Sequence, residues 1–163
     1  MRDIPLRMLI ERLEELITAQ QKLASLMLLT EGKKAKLSVS TAIDMLYTHM
    51  EMLDITSEII NALQDTSDDY TREYATMITA EALSWTGFML PYIEASSPIF
   101  IEHIKVESQP IISRIKSVVS LMERLGSEMD VFSSEEIIRT IDMVSRAIKY
   151  QLFMAKKSYE TMA

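Results

Sequence analysis

The sequence predicts an all-α protein, an antiparallel up-and-down bundle of about five long helices. Its 163 residues include only three glycines and four prolines, so few turns are encoded. Apolar residues recur at alternating spacings of three and four, the pattern of a helix with one buried face. Short polar stretches that can cap helices stand where this pattern restarts. A single domain over residues 1–163 is expected, because a chain of this length can bury a substantial core.

The first predicted helix follows Asp3, which can cap its start, and Pro5, which is tolerated in a first turn. Gly32 is a natural stop. The apolar stripe between them consists of Leu6, Leu9, Ile10, Leu13, Leu16, Ile17, Leu23, Ala24 and Met27. Gln20 is the one polar residue on this stripe, so it either fixes the packing register or lies near an edge.

The second predicted helix starts at a capping box, Thr41-x-x-Asp44, in which side chains bond the first free backbone N–H groups. Its apolar stripe continues to residue 63. The stripe consists of Ala42, Leu46, Leu53, Ile60 and Leu63. The polar run QDTSDD at 64–69 interrupts the pattern and predicts a turn.

The third predicted helix starts at a second capping box, Thr66-x-x-Asp69. It should weaken at Gly87 and Pro91, because glycine is flexible and proline lacks a backbone N–H. Residues 74–93 contain a single charge, on Glu81. That run also holds several Ser and Thr residues, so we predict a helix of the bundle rather than a membrane span.

The fourth predicted helix follows Ser97 as cap and Pro98 at its first position. A strand is the alternative for IFIEHIKVE at 99–107, but the helical spacing continues through it and favours a helix. Pro110 removes one backbone hydrogen bond and crowds the preceding turn, so this helix should be kinked or split there. Gly126 ends it. Its stripe consists of Ile101, Ile104, Ser108, Ile111, Ile115, Val118, Met122 and Leu125.

The fifth predicted helix starts at a capping box, Ser133-x-x-Glu136. Its stripe consists of Ile137, Ile141, Val144, Ile148 and Leu152. Helices of roughly 25 residues are each about 37 Å long at 1.5 Å per residue. Similar lengths and short connections predict antiparallel neighbours in the bundle.

Several chemistries have no support in the sequence. The absence of cysteine excludes disulfides, thiolate metal sites and cysteine nucleophiles. A di-metal bundle site needs Glu three residues before His, but Leu46 precedes His49 and Phe100 precedes His103. We interpret both histidines as surface or hydrogen-bonded residues. No glycine-rich phosphate loop or nucleophile elbow occurs, so we expect no enzymatic activity, cofactor or metal.

One face of the third helix carries five aromatic residues around Glu81, all within about 60° at 100° per residue. They are Tyr70, Tyr74, Trp85, Phe88 and Tyr92. The opposite face carries small residues: Thr76, Thr79, Ala80, Leu83, Thr86 and Gly87. Three interpretations stay open. The helix could be packed on both sides, Glu81 could lie in an aromatic ligand pocket, or one face could join subunits. The ligand or interface candidates are Tyr74, Glu81, Trp85, Phe88 and Tyr92.

Up-and-down topology would place basic residues at one end of the bundle. They are Lys33, Lys34, Lys36, Lys156 and Lys157. Carboxylates would gather at the other end: Asp65, Asp68, Asp69, Glu128, Asp130, Glu135 and Glu136. Helix dipoles explain much of this arrangement, but not the run GKKAK. We therefore hypothesise that the basic end binds an acidic partner, which could be another copy, an acidic protein or phosphate.

The net charge of −7 gives no general attraction to nucleic acid. The charged N-terminal sequence lacks a signal-peptide pattern, so we expect a cytoplasmic protein. The function predicted is a non-enzymatic structural or protein-interaction module that presents amphipathic helical faces and forms a homo-oligomer. One alternative is a small-ligand-binding or enzymatic bundle with an aromatic pocket around Glu81. Another is binding of nucleic acid or an acidic partner through the basic end.

Overall fold

The computed structural model describes residues 5–30, 38–96 and 108–162, in which the chain forms five α-helices and no strand. The helices are α1 (Leu6–Thr30), α2 (Val39–Ala62), α3 (Asp69–Ser96), α4 (Ser108–Leu125) and α5 (Val131–Met162). Single 3₁₀ turns, Leu63–Asp65 and Gly126–Glu128, follow α2 and α4. The predicted all-α class is confirmed.

Four of the helices form a closed ring in cross-section. α2 packs on α3, α3 on α4, α4 on α5, and α5 returns to α2. α1 lies outside this ring against α2 and α3. Consequently α2 and α3 each have three helical neighbours and are the most enclosed elements of the bundle.

Side-chain contacts show the helix directions. Glu14 of α1 pairs with Tyr74 of α3, and Gln21 pairs with Glu81, so both helices advance together and are parallel. Between them in sequence, α2 runs the opposite way. This alternation is the up-and-down arrangement that the sequence predicted.

The contacts of α5 with α2 show the reverse pairing. Lys156 near the end of α5 lies over the Tyr47 ring near the start of α2. Gln64, just after α2, donates to Ser134 near the start of α5. The two helices are therefore antiparallel, as the alternation requires.

Buried side chains from all five helices form one hydrophobic cluster. Every stripe residue predicted for the second and fifth helices is buried. In α1, Leu6 and Leu23 are half-buried, and the other described residues of the stripe are buried. The 3–4 spacing thus located the core-facing side of each of these helices.

The helix starts of α2 and α5 differ from the prediction. The Ser38 hydroxyl, not Thr41, caps α2 by accepting a bond from the Thr41 N–H at 3.1 Å. The Asp130 carboxylate likewise accepts the Ser133 N–H at 2.7 Å. In both cases the residue that we expected to cap the helix lies one turn inside it, as the donor. The bond to the Ser133 N–H also lowers the Asp130 pKa.

A different residue also starts α3. The Asp68 carboxylate, rather than Thr66, accepts the Thr71 N–H at 2.9 Å. The Thr71 hydroxyl and N–H both bond this carboxylate, which lowers the Asp68 pKa. The predicted cap at Asp3 and stop at Gly32 lie outside the described residues.

Pro91 and Pro110, the described prolines near the α3–α4 connection, lie in helices. α3 continues through Gly87 and Pro91 to Ser96 without the expected weakening. Buried Met89, Leu90 and Ile93 flank Pro91, so core packing offsets the backbone bond that proline removes. α4 begins at Ser108 with Pro110 in its first turn, and the predicted interruption of the fourth helix near Pro110 is confirmed. Residues 97–107, with the predicted Ser97 cap, lie outside the described residues.

Arg72 of α3 joins the two loops at one end of the bundle. Its guanidinium donates to the carbonyl oxygens of Leu63 and Thr66, after α2. It also donates to those of Ser127 and Met129, after α4. These carbonyls follow helix C-termini, where backbone acceptors lack helical partners, and a cation satisfies them well.

Candidate functional site

On α3 the small-residue face is buried and the aromatic face is partly exposed, although aromatic rings were expected to fill the core. The small-residue face is the buried one and consists of Thr76, Thr79, Ala80, Leu83 and Thr86. On the aromatic face, Tyr74, Trp85 and Tyr92 are half-buried against the core, while Tyr70 is 77% and Phe88 51% exposed. Close helix packing needs small side chains, so the larger rings are directed outward. For Tyr70 and Phe88, the core-packing interpretation is wrong.

Two aromatic side chains have defined partners. The Tyr74 hydroxyl donates to the Glu14 carboxylate at 2.6 Å, and this bond with burial raises the Tyr74 pKa to about 12. The Trp85 and Phe88 rings meet edge to face, with centroids 5.9 Å apart. Tyr74 therefore joins α3 to α1, and Trp85 supports the exposed Phe88 ring.

Glu81 has both a polar neighbour and open space beside it. Its carboxylate accepts a long bond of 3.4 Å from the Gln21 side chain. A cavity of about 410 Å³ lies next to it between α3 and α4, and its described lining contains no aromatic ring. Among the lining residues are Glu73, Met77, Glu81, Ser84, Met122 and Glu123. The aromatic residues thus do not enclose Glu81, because Tyr74 and Trp85 take part in other contacts.

A second, larger cavity of about 940 Å³ continues from the first along the same two helices, since both include Ser84 and Glu123. Its apolar lining consists of Phe88, Pro91, Tyr92, Ile112, Ile115 and Val119. We call the two cavities together the α3–α4 groove. The groove has an acidic half with Glu73, Glu81 and Glu123 and an apolar half with a single cation, Lys116.

The floor of the groove is set by Gly87. A Cβ atom at this position would lie 3.3 Å from the Cγ2 atom of Ile115 on α4. The missing side chain allows the two helices to approach closely there, while the larger residues on either side project outward. The groove is therefore shallow and open along its length.

A polar network lies inside the bundle between α1, α2 and α3. The His49 ring, 1% exposed, bonds the side-chain amide oxygen of Gln20 through Nε2 at 3.0 Å and the Thr86 hydroxyl through Nδ1 at 2.9 Å. Nε2 carries the proton in this arrangement, and Nδ1 accepts from Thr86. Burial lowers the His49 pKa to about 4, so the ring is neutral near pH 7. His49 is thus a hydrogen-bonded core histidine, and Gln20 is its buried partner rather than an edge residue.

The predicted basic end is described only in part. Lys33, Lys34 and Lys36 lie outside the described residues. The Lys156 ammonium lies 4.7 Å from the centre of the Tyr47 ring, a cation–π contact, and Lys157 is exposed. His103 is also outside the described part of the chain.

The opposite, acidic end uses several of its carboxylates locally. Asp68 and Asp130 cap helices. Glu136 pairs with Arg114 at 2.7 Å and with Arg139 at 3.5 Å. These contacts agree with the helix-dipole explanation of the acidic end.

Two features are absent from the described ranges. No group of three or more His, Asp or Glu side chains there could hold a metal ion. None of the described helices has a stretch long and apolar enough to cross a membrane.

Comparison with known proteins gives a match over nearly the whole chain. A family model described as "Uncharacterized protein" matches residues 6–162. The chain belongs to this family. A protein of Aquifex aeolicus (strain VF5), also described as uncharacterized, is 30% identical over 156 residues, which is 96% of each chain. No solved structure matches. The similarity covers all five helices of this family member and does not indicate an activity.

Sequence reasoning missed two constellations and part of a third. Nothing in the pattern marked Arg72, since its partners are backbone carbonyls from two distant loops. His49 and Gln20 both interrupt apolar stretches of their helices, and this shared feature is the signal that could pair them. The sequence indicates the groove only through Glu81, Phe88 and Tyr92 on α3, because its other wall depends on which helix lies beside them.

Proposed function

We propose that this protein is a non-enzymatic interaction module that self-associates through its helical faces. The observation that supports the proposal is the α3–α4 groove, an open channel between two helices with aromatic rings at one end. Its shape suits an amphipathic helix, which buries a row of side chains in such a channel. A cytoplasmic location, expected from the sequence, belongs to the same proposal.

The apolar residues of the groove, of which Phe88 is exposed, favour a protein partner over a small molecule. Phe88, Pro91 and Val119 lie along a wide, shallow surface rather than around an enclosed cavity. Small ligands generally occupy concave sites that bury most of their surface, whereas open apolar grooves are typical of protein contacts. Aromatic residues such as Phe88 and Tyr92 carry much of the binding energy in such contacts.

The test is the mass of the protein in solution over a dilution series, measured by sedimentation velocity. We expect a concentration-dependent oligomer that Phe88→Ser weakens at unchanged circular dichroism. Phe132→Ser is the matched control, because this ring is 80% exposed but lies at the start of α5, away from the groove residues. A wild-type monomer at every concentration would refute self-association, and equal effects of the two variants would exclude the groove.

A second candidate function is small-ligand binding in the acidic half of the groove. The cavity of about 410 Å³ brings together Glu73, Glu81 and Glu123, which favours a cationic ligand such as a polyamine. Titration of Trp85 fluorescence with spermidine would test it. Saturable binding that Glu81→Gln weakens would support this candidate, and a flat response would remove it.

A further inference from the structure

We propose a specific contact for the self-association: the outer face of the last half of α5 in one copy lies in the α3–α4 groove of the next copy. This inference rests on the proposed function and adds the identity of both surfaces. The α5 surface, which we call the α5 outer stripe, consists of Arg146, Lys149, Tyr150 and Phe153.

The α5 outer stripe is an unpartnered helical face of the kind that binds a groove. Its four residues are spaced at i, i+3, i+4 and i+7, so they lie along one side of the helix. All four are exposed, with Tyr150 at 47% and Phe153 at 62%. The opposite side of α5 is buried in the core. Two aromatic rings and two cations are therefore available for an external contact.

The charges of the two surfaces are complementary. The α5 outer stripe carries Arg146 and Lys149, while the acidic half of the groove carries Glu73, Glu81 and Glu123. Beyond the shared Ser84 and Glu123, the remaining half of the groove is apolar apart from Ser120 and Lys116, and Lys116 would repel a cation of the neighbouring copy. Arg146 and Lys149 are thereby directed to the carboxylates, and the α5 rings to the apolar half.

The spacings of the two surfaces also agree. On α5, Arg146 and Phe153 are seven residues apart, and on α3, Glu81 and Phe88 are seven residues apart. Seven residues of helix span about 10 Å. A neighbouring α5 that runs parallel to α3 can consequently place Arg146 beside Glu81 and Phe153 beside Phe88 at the same time.

The two surfaces lie at similar heights in the bundle. Helix α2 contacts both α5 and α3 and so relates their heights. Lys156 of α5 contacts Tyr47 of α2. His49 lies half a turn after Tyr47 and bonds Thr86 of α3. Phe153, one turn before Lys156, therefore lies within about one helical turn of Phe88 in height. Because α3 and α5 are parallel, two copies standing side by side make the contact without a large axial shift.

Such an assembly is heterologous, because each copy contributes a different surface to each contact. One copy uses its groove for one neighbour and its α5 outer stripe for another. Repetition of a heterologous contact produces a ring if the rotation closes and a filament if it does not. The contact thus predicts a higher oligomer rather than a simple twofold dimer.

Charge reversal tests the contact in the full-length protein. The first variant carries Arg146→Glu with Lys149→Glu, the second carries Glu81→Lys with Glu123→Lys, and the third carries all four substitutions. We expect each pair to weaken self-association at least roughly tenfold, since charge pairs at interfaces contribute on this scale or above. The four substitutions together should restore it. The control for the first variant is Arg7→Glu with Lys22→Glu on the exposed face of α1, which changes the net charge by the same amount and in the same sense.

Each outcome decides a separate point, with circular dichroism and thermal unfolding confirming that every variant is folded. An oligomer insensitive to Arg146→Glu with Lys149→Glu would overturn this contact and leave the proposed function standing. Failure of the four-substitution variant to recover would overturn the direct pairing. A monomeric wild-type protein would overturn both the contact and the proposed function.

Discussion

Acidification should destabilise this bundle through one buried side chain, His49. In the folded protein burial lowers its pKa to about 4, whereas an unfolded chain has a histidine pKa of about 6.5. The unfolded state therefore binds a proton more readily between these values. The stability associated with neutral His49 is complete above about pH 6.5 and is lost as the pH falls towards 4.

The size of the effect follows from the two pKa values. The difference in proton binding lowers the free energy of unfolding by about 2 kcal/mol at pH 5 and about 3 kcal/mol at pH 4. The network permits protonation geometrically, because the Thr86 hydroxyl, 3.3 Å from the Ala82 carbonyl, can turn to donate there. Loss of solvation of the charged ring is thus the main cost.

The assay is urea unfolding followed by the fluorescence of Trp85, the chain's only tryptophan, at pH 7 and pH 5. Carboxylates titrate little in this window, which isolates the histidine contribution. Wild type should lose about 2 kcal/mol of stability between pH 7 and pH 5. His49→Gln, which cannot be protonated, should lose at least about 1 kcal/mol less over the same interval. His103→Gln is the matched control for the other histidine. Equal pH dependence in wild type and His49→Gln would refute the reasoning.

Three further substitutions probe the helix ends and the groove by urea unfolding. Arg72→Met should lower the free energy of unfolding by about 3 kcal/mol, because four carbonyls lose their donor. Arg7→Met, at an exposed ion pair, should lower it by no more than about 0.5 kcal/mol. Equal losses would contradict the loop-joining role of Arg72. Asp130→Ala should lower the urea midpoint at pH 7 more than Asp130→Asn, which keeps a side-chain acceptor. Since the Asp130 pKa is lowered, the stability of wild type relative to Asp130→Asn should fall as the pH falls through that pKa. Gly87→Val should cost about 1–3 kcal/mol by pressing on Ile115, and an unchanged midpoint would exclude close packing there.

The helical pattern predicted the core well because apolar residues three and four apart lie on the same side of a helix. Ile137, Ile141 and Val144 are buried as expected, and their positions follow from the helix repeat alone. The helix starts were less predictable. Ser38 and Asp130 lie one turn before the Ser and Thr that resembled capping boxes, and several polar residues near each start could accept the same N–H group.

The candidate site was predictable only on one side. The aromatic face of α3 could be read from periodicity, but the direction it faces depends on which neighbours pack closely. Thr79 and Thr86 are buried because small side chains allow α3 to approach its neighbours, and this leaves Phe88 outward. Lys116 and Val119 of α4 could not be assigned to the site from the sequence, since they are distant from α3 in sequence and only the packing of α4 against α3 brings them there.

The contacts of Arg72 have a consequence for how the bundle moves. Its guanidinium bonds both the turn between α2 and α3 and the turn between α4 and α5, so the two helical hairpins are held together at that end. Local opening should then be easiest at the far end, where α3 approaches Ser96 and α4 begins. Amide hydrogen exchange should accordingly be slowest beside Arg72 and faster towards the far end of the groove.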